Sequence, residues 1–208
     1  MTHSLHRRGS IDSLQNDYVV LITPAVNINH KESKSKLIEI LDIVKEIGPV
    51  NIGSYDCGNI FRGATIEKIQ NTLSETPRVR CVFDSYEKVK LLVAELKKRD
   101  YGLSVTISGL IDNIVKLSRE NDIKPHSINL SIGVYGKVEA LPDESVLNLV
   151  TMCGHGMVSE RLVKQAVERV KKGTWDIDKA AVEIAKPCHC GIFNVERAKQ
   201  ILNKNLKK

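Results

Sequence analysis

Short apolar runs alternate with amphipathic helix patterns over the first two-thirds of the chain, and this alternation limits the possible folds more than any other feature. The apolar runs have the length and β-branched content of buried strands, whereas the segments between them repeat apolar residues every three or four positions. Strands are predicted at 18–22, 50–52, 78–83, 103–107 and 128–132, and helices at 37–47, 65–73, 86–98 and 110–120. Repeated strand–helix–strand units predict an α/β fold with a mainly parallel, Rossmann-like sheet of about five strands and helices on both faces.

The pattern changes after Pro142, where helix patterns replace the alternation. Helices are predicted at 142–150, 159–172 and 176–186, and Asn194 is a typical N-cap for a final helix. The sequence therefore predicts two parts, an α/β core domain at 1–141 and a C-terminal helical segment at 142–208.

Three of the five cysteines lie in this C-terminal segment with the spacing C-x34-C-x-C, at Cys153, Cys188 and Cys190. The two helices between Cys153 and Cys188 are joined at Gly173. At the helical rise they run about 22 Å out and about 15 Å back. An antiparallel hairpin would therefore return Cys188 and Cys190 to the neighbourhood of Cys153, and the pattern predicts a metal or cluster site.

Glycine follows Cys153 and Cys190 directly, so the backbone could approach a bulky inorganic group. Free N–H groups at helix boundaries could also donate to sulfur. Both features favour a [4Fe–4S] cluster held by three cysteines, with one iron open to substrate. Three alternatives stay open: a Cys3His zinc site completed by His155 or His189, a redox dithiol, and cysteines that are simply small buried residues.

The other two cysteines have different surroundings. Cys57 follows a predicted strand and precedes glycine, so it could be a fourth ligand, a reactive thiol or an incidental loop residue. Cys81 lies inside an apolar strand, and we assign it to the core. His30 is the histidine best placed for acid–base chemistry, although an exposed loop residue is the alternative.

Ligands of open parallel sheets bind beyond the carboxyl ends of the strands. The residues that follow the predicted strands are polar or permit close backbone approach, and we expect them to bind a small anionic substrate: Asn27, Asn29, Asn59, Ser108, Gly109, Gly133 and Gly136. Arg7 and Arg8 could fold over this crevice and neutralise the substrate, the alternative being a disordered tail.

The formal charge of +6 and the pI near 9.0 favour anionic ligands. Nucleic acid is a disfavoured partner, because the basic residues are spread along the chain and aromatic residues make up only 4%. The sequence has neither an 18-residue apolar run nor a secretory signal, so we expect no membrane span and a cytoplasmic location. Small apolar helix faces, such as that of Ala180 and Ala181, could pack against a second copy and form a homodimer.

The leading functional hypothesis is an iron–sulfur enzyme that uses its open iron on a small anionic substrate. The reaction would be hydration or dehydration, as in a lyase, or sulfur transfer or desulfuration. Cys57 and His30 would be the reactive groups, and oxygen sensitivity of the cluster would suit an anaerobic host. One alternative is a non-enzymatic iron–sulfur protein for electron transfer or metallocofactor maturation. The other is a zinc-stabilised binding module.

Overall fold

The computed structural model describes residues 2–74 and 77–206, and a five-stranded sheet lies at its centre. The strands are β1 Tyr18–Thr23, β2 Asn51–Ser54, β3 Gly58–Asn59, β4 Val79–Phe83 and β5 Ser104–Ser108. Their order across the sheet is β3-β2-β4-β1-β5. All four hydrogen-bonded pairs are antiparallel, so the predicted parallel, Rossmann-like sheet is wrong.

The antiparallel sheet arises because each helical crossover skips one strand position. β1 and β2 are both antiparallel to β4, which lies between them, so they run in the same direction without touching. In the same way β1 separates β4 from β5. This connectivity is that of the split βαβ unit. The alternation in the sequence shows that a helix separates two strands, but it does not show which strands pair.

The strand predicted at 128–132 is also wrong. Residues 121–137 form no helix or strand, and Ile128, Leu130 and Ile132 are 60%, 69% and 86% exposed. Their period-two pattern fits a strand, yet a strand forms only where a neighbour supplies backbone hydrogen bonds. The fifth strand is instead β3, which forms a short hairpin with β2 through the pair Gly53 and Asn59.

The helices predicted from apolar periodicity are confirmed, with ends that differ by a few residues. The α-helices are α1 Ile11–Leu14, α2 Ser33–Ile47, α3 Ile66–Asn71, α4 Tyr86–Arg99, α5 Ile111–Glu120, α6 Glu144–Val150, α7 Glu160–Lys171, α8 Ile177–Ala185 and α9 Val195–Leu206. Short 3-10 helices cover Thr2–His6, Ile60–Arg62 and Val138–Ala140. Side chains of Ser159, Asp176 and Asn194 accept hydrogen bonds from the first turns of α7, α8 and α9, which explains where these helices begin.

The sheet lies between two layers of helices. Tyr18, Val20 and Ile22 of β1 pack in one core with α2 and α4. Val19, which points to the opposite face, packs with Val82 in a second core formed with α6 to α9. The C-terminal helical segment therefore packs on the face of the sheet that carries Val19 and Val82, and the cysteine residues reach the sheet through this layer.

Within the described ranges, no helix combines the length and the apolar character that crossing a bilayer requires.

Candidate functional site

The fold brings the three C-terminal cysteines together. Cys153 follows α6, while Cys188 and Cys190 lie in the loop between α8 and α9, and α7 and α8 pack against each other in between. The exposed fractions of Cys153, Cys188 and Cys190 are 2%, 0% and 1%. The sulfurs of Cys188 and Cys190 are 3.9 Å apart, and the thiol of Cys188 also hydrogen bonds to Cys153. Three thiols from opposite ends of a helical hairpin thus form one buried cluster.

Two glycines let the cysteine loop lie directly on the sheet. A Cβ on Gly191 would be 2.1 Å from the backbone N of Gly53, and one on Gly53 would be 2.6 Å from the carbonyl oxygen of His189. Gly191 also has φ +72°, in the left-handed region that favours glycine. Backbone contact between the loop and β2 therefore fixes the height of Cys190 above the sheet.

Asn59 supports the same loop from β3. This fully buried side chain donates from its amide nitrogen to the carbonyl oxygens of Ala185, Lys186 and Cys188, at 3.2, 3.2 and 2.7 Å. Its oxygen accepts from the backbone N–H of Phe61. Asn59 was predicted to bind substrate, and the structure places it beneath the cysteine loop with both ends of its amide engaged.

Replacing Asn59 with alanine should destabilise the protein by about 2 kcal/mol, because buried carbonyl oxygens would lose their donor. Equilibrium urea unfolding measures the change. Asn29→Ala is the matched control, since the Asn29 amide also donates to a carbonyl oxygen, that of Gly102, but in a partly exposed loop where water can replace it. Equal losses in the two variants would contradict a special role for Asn59.

Arg7 connects the two cysteine loops. Its guanidinium donates to the carbonyl oxygens of Met152, at 3.0 Å, and of Ile192, which adjoin the loops of Cys153 and Cys190. It also pairs with the buried carboxylate of Asp17. Arg8 lies nearer the surface and pairs with Glu144. Both arginines were predicted to cover a substrate crevice, and the structure instead gives each of them a protein carboxylate.

His155 and Tyr55 lie at the solvent side of the cysteine cluster. Nδ1 of His155 is 3.6 Å from the Cys190 sulfur, and its Nε2 is 2.6 Å from the hydroxyl of Tyr55. Burial, and then the nearby Cys190 sulfur, raise the pKa of Tyr55. The imidazole therefore bridges the cluster and a tyrosine. His189, the other histidine considered as a metal ligand, has its ring beside the Arg62 guanidinium instead.

Arg80 lies under Tyr55, on the face of the sheet that the cysteine segment covers. Its guanidinium carbon is 4.4 Å from the centre of the Tyr55 ring, and the residue is only 8% exposed. Sequence reasoning missed both residues. The signal for Arg80 was a charged residue inside the apolar strand Val79–Phe83, because unpaired arginine is seldom buried.

The cysteine cluster contains a sulfur that ionises readily. The pKa of Cys153 falls to about 6, because the thiol of Cys188 donates a hydrogen bond to it and the backbone N–H groups of Met157 and His155 add to this, while burial opposes the change. The pKa of Cys188 is raised by its hydrogen bonds to Cys153 and Cys190 and by burial. A thiolate beside the protonated thiol of Cys188 is a chemistry suited to metal binding or to thiol reactions.

The residues predicted to bind substrate do not lie together, because the antiparallel sheet places them at opposite ends. The loop with Asn27 and Asn29 follows the end of β1, whereas Ser108 ends β5 beside Val19, at the opposite end of the sheet, and Gly109 contacts the ring of Tyr18. A shallow cleft of about 330 Å³ lies at this second end, lined by residues that include Tyr18 but no cysteine.

Further candidate residues lie away from the three cysteines. Cys57 is half-buried and packs against the core of α2 and α4 rather than the core that holds the cluster. His30 accepts a hydrogen bond from the backbone of Asn27 within its own loop. Gly133 and Gly136 belong to the exposed irregular segment after α5. Cys81 is completely buried under the opposite face of the sheet, so the core assignment is confirmed.

With the side chains as they stand, no three or more His, Cys, Asp or Glu residues in the described part of the chain form a group that could hold a metal ion. Comparisons with protein-family models, curated proteins and solved structures return no match. The function is therefore argued from the cluster and its neighbours alone.

Proposed function

We propose that the protein binds one metal ion through Cys153, Cys188, Cys190 and His155, and that this ion fixes the C-terminal segment on the sheet. The observation that supports the proposal is the meeting of three buried sulfurs with an imidazole nitrogen. The thiols lie close enough to hydrogen bond to one another. Binding would replace the shared protons, since cysteine binds metals as the thiolate.

The distances favour a single tetrahedral ion, and zinc is the metal that suits the ligand set. Zinc binds sulfur at about 2.3 Å and nitrogen at about 2.0 Å, so two ligand sulfurs lie about 3.8 Å apart and a sulfur and a nitrogen about 3.5 Å apart. The corresponding distances here are 3.9 Å for Cys188 and Cys190 and 3.6 Å for Cys190 and His155. Four protein ligands, here three buried cysteines and one histidine, are typical of a structural zinc site.

Tyr55 provides the second contact that a ligating histidine needs. A histidine that binds metal through one ring nitrogen usually donates the N–H of the other to a fixed acceptor, which sets the tautomer and the ring orientation. With Nδ1 facing Cys190, the Nε2–H of His155 would donate to the Tyr55 hydroxyl 2.6 Å away. The contact with Tyr55 thus supports Nδ1 of His155 as the fourth metal ligand.

The second candidate is the three-cysteine [4Fe–4S] enzyme that the sequence suggested, acting as a lyase or in sulfur transfer. One observation favours it: the Cys153 sulfur accepts backbone N–H groups from Met157 and His155, and such hydrogen bonds tune iron–sulfur clusters. A cube places each thiolate on a different iron, so the three sulfurs would have to separate. His155 would not be a ligand of the cube, so only the zinc site requires this histidine.

Metal analysis of protein purified under nitrogen tests the proposal. We expect about one zinc per chain and a colourless protein, whereas about four irons and a brown protein would favour the cluster enzyme. Alanine at Cys153, Cys188 or Cys190 should abolish metal binding in either case. His155→Ala separates the candidates, because it should reduce zinc retention and leave a cube in place.

Cys81→Ala is the control for loss of a buried thiol, since Cys81 is equally buried but lies in the other core. Cys57→Ala tests the remaining cysteine, and both variants should keep their metal. Protein that contains neither zinc nor iron, or variants of all five cysteines that behave alike, would contradict the proposal.

A further inference from the structure

Within the described part of the chain, Arg80 is a buried cation whose side-chain donors have no protein acceptor. Its side chain forms no hydrogen bond and no ion pair with any residue in the ranges 2–74 and 77–206, and the only direct partner of the guanidinium there is the ring of Tyr55. The ring lies against the face of the guanidinium. The five N–H donors of arginine point outward in the guanidinium plane, so this stacking leaves them available.

A guanidinium in such a place needs a negative partner. Arginine stays charged at any physiological pH, and a buried charge without compensation is strongly unfavourable. Burial lowers the pKa of Arg80, with Tyr55 and then Cys190 opposing the change, and Arg78 nearby adds a like charge. Asp56 attracts Arg80 from a distance but does not form an ion pair with it. The described residues thus give Arg80 no carboxylate like those that pair with Arg7, Arg8 and Arg197.

We propose that Arg80 binds the oxyanion group, carboxylate or phosphate, of a small molecule beside the cysteine cluster. A guanidinium matches both groups through two parallel N–H···O bonds. Tyr55 would cover one side of the bound group, because its ring packs on the guanidinium and its hydroxyl extends to His155. The assignment goes beyond the metal site and does not depend on it, since the donors of Arg80 are the same whichever ion the sulfurs hold.

The test is titration of the ¹⁵N-labelled full chain with inorganic phosphate and, separately, with acetate, followed by NMR at the Arg80 Nε–H. The resonance is assigned by its absence from Arg80→Gln. A saturable shift with either anion supports the proposal, and the anion that binds more tightly shows whether the natural group is a phosphate or a carboxylate. No saturable shift with either anion would overturn it.

Variants locate the binding by calorimetry with the anion that binds. Arg80→Gln should abolish the heat of binding. Arg80→Lys keeps the positive charge but lacks the two parallel N–H donors, so it should weaken affinity by about tenfold or more. Arg119→Gln removes the same charge from an exposed position on α5 and should leave affinity unchanged. Unchanged affinity in Arg80→Lys would count against the site even if Arg80→Gln fails to fold.

Metal content measured on the same samples separates this proposal from the previous one. Arg80→Gln protein that retains its metal but no longer binds the anion supports a distinct oxyanion site. Anion binding by a wild-type chain that contains no metal would sustain the Arg80 site while removing the metal site.

Discussion

Alanine at Gly191 should destabilise the protein by about 3 kcal/mol or more, through a clash and a strained backbone together. The new Cβ would lie 2.1 Å from the backbone N of Gly53 and 2.2 Å from the carbonyl carbon of Ile52. Both atoms belong to the central part of β2 and cannot rotate away as a side chain would. The loop must therefore rise from the sheet, and Cys190 must move with it.

Gly156→Ala is the matched control for Gly191→Ala. Gly156 has φ +70°, close to the +72° of Gly191, but a Cβ there would have no atom within 4 Å. Left-handed strain alone should reduce the free energy of unfolding by about 1 to 2 kcal/mol. Urea unfolding gives both values, and titration of accessible thiols in the native state should show Cys190 exposed in the Gly191 variant alone. Equal losses of stability would refute direct contact between loop and strand.

The helices were predictable because the residues that specify each helix lie close together in the sequence. The apolar positions of α4 and α7 recur within a few residues, and the caps at Ser159 and Asp176 precede their helices directly. The pairing of strands is not local. β4 lies between β1 and β2 although it follows both in the chain, and no periodicity within a strand specifies its neighbours.

The candidate site likewise has a part that the local sequence predicts and a part that it does not. The spacing of Cys153, Cys188 and Cys190 and the helical hairpin between them suggested a cluster, whereas its supports come from distant parts of the chain. Arg7 reaches Met152 from a position 145 residues away. Nothing near Arg7 in the sequence indicates that contact. Arg80 is different. Its signal, a charged residue inside a buried strand, is present in the local sequence although it was missed.

Replacement of Asp17 with alanine should destabilise the protein by about 3 to 5 kcal/mol, the range observed when one partner of a buried ion pair is removed. The Asp17 side chain is fully buried between the guanidinium groups of Arg7 and Arg197, the latter at 2.8 Å, and it also accepts a hydrogen bond from Asn194. Its loss would leave two buried cations side by side. Because Arg7 holds the carbonyl oxygen of Met152, the damage should extend to the cysteine loops.

Glu144→Ala is the control, because it removes a carboxylate that also pairs with an arginine of the N-terminal segment. Glu144 is 62% exposed and its partner Arg8 is 34% exposed, so water can replace the pair and the loss should stay below about 1 kcal/mol. Urea unfolding measures both variants. Asp17→Ala should also lower retention of the proposed metal ion, since Arg7, which contacts the loops of both Cys153 and Cys190, loses its carboxylate partner, whereas Glu144→Ala should not. If Asp17→Ala is no less stable than Glu144→Ala, the buried network does not hold the cysteine loops on the sheet.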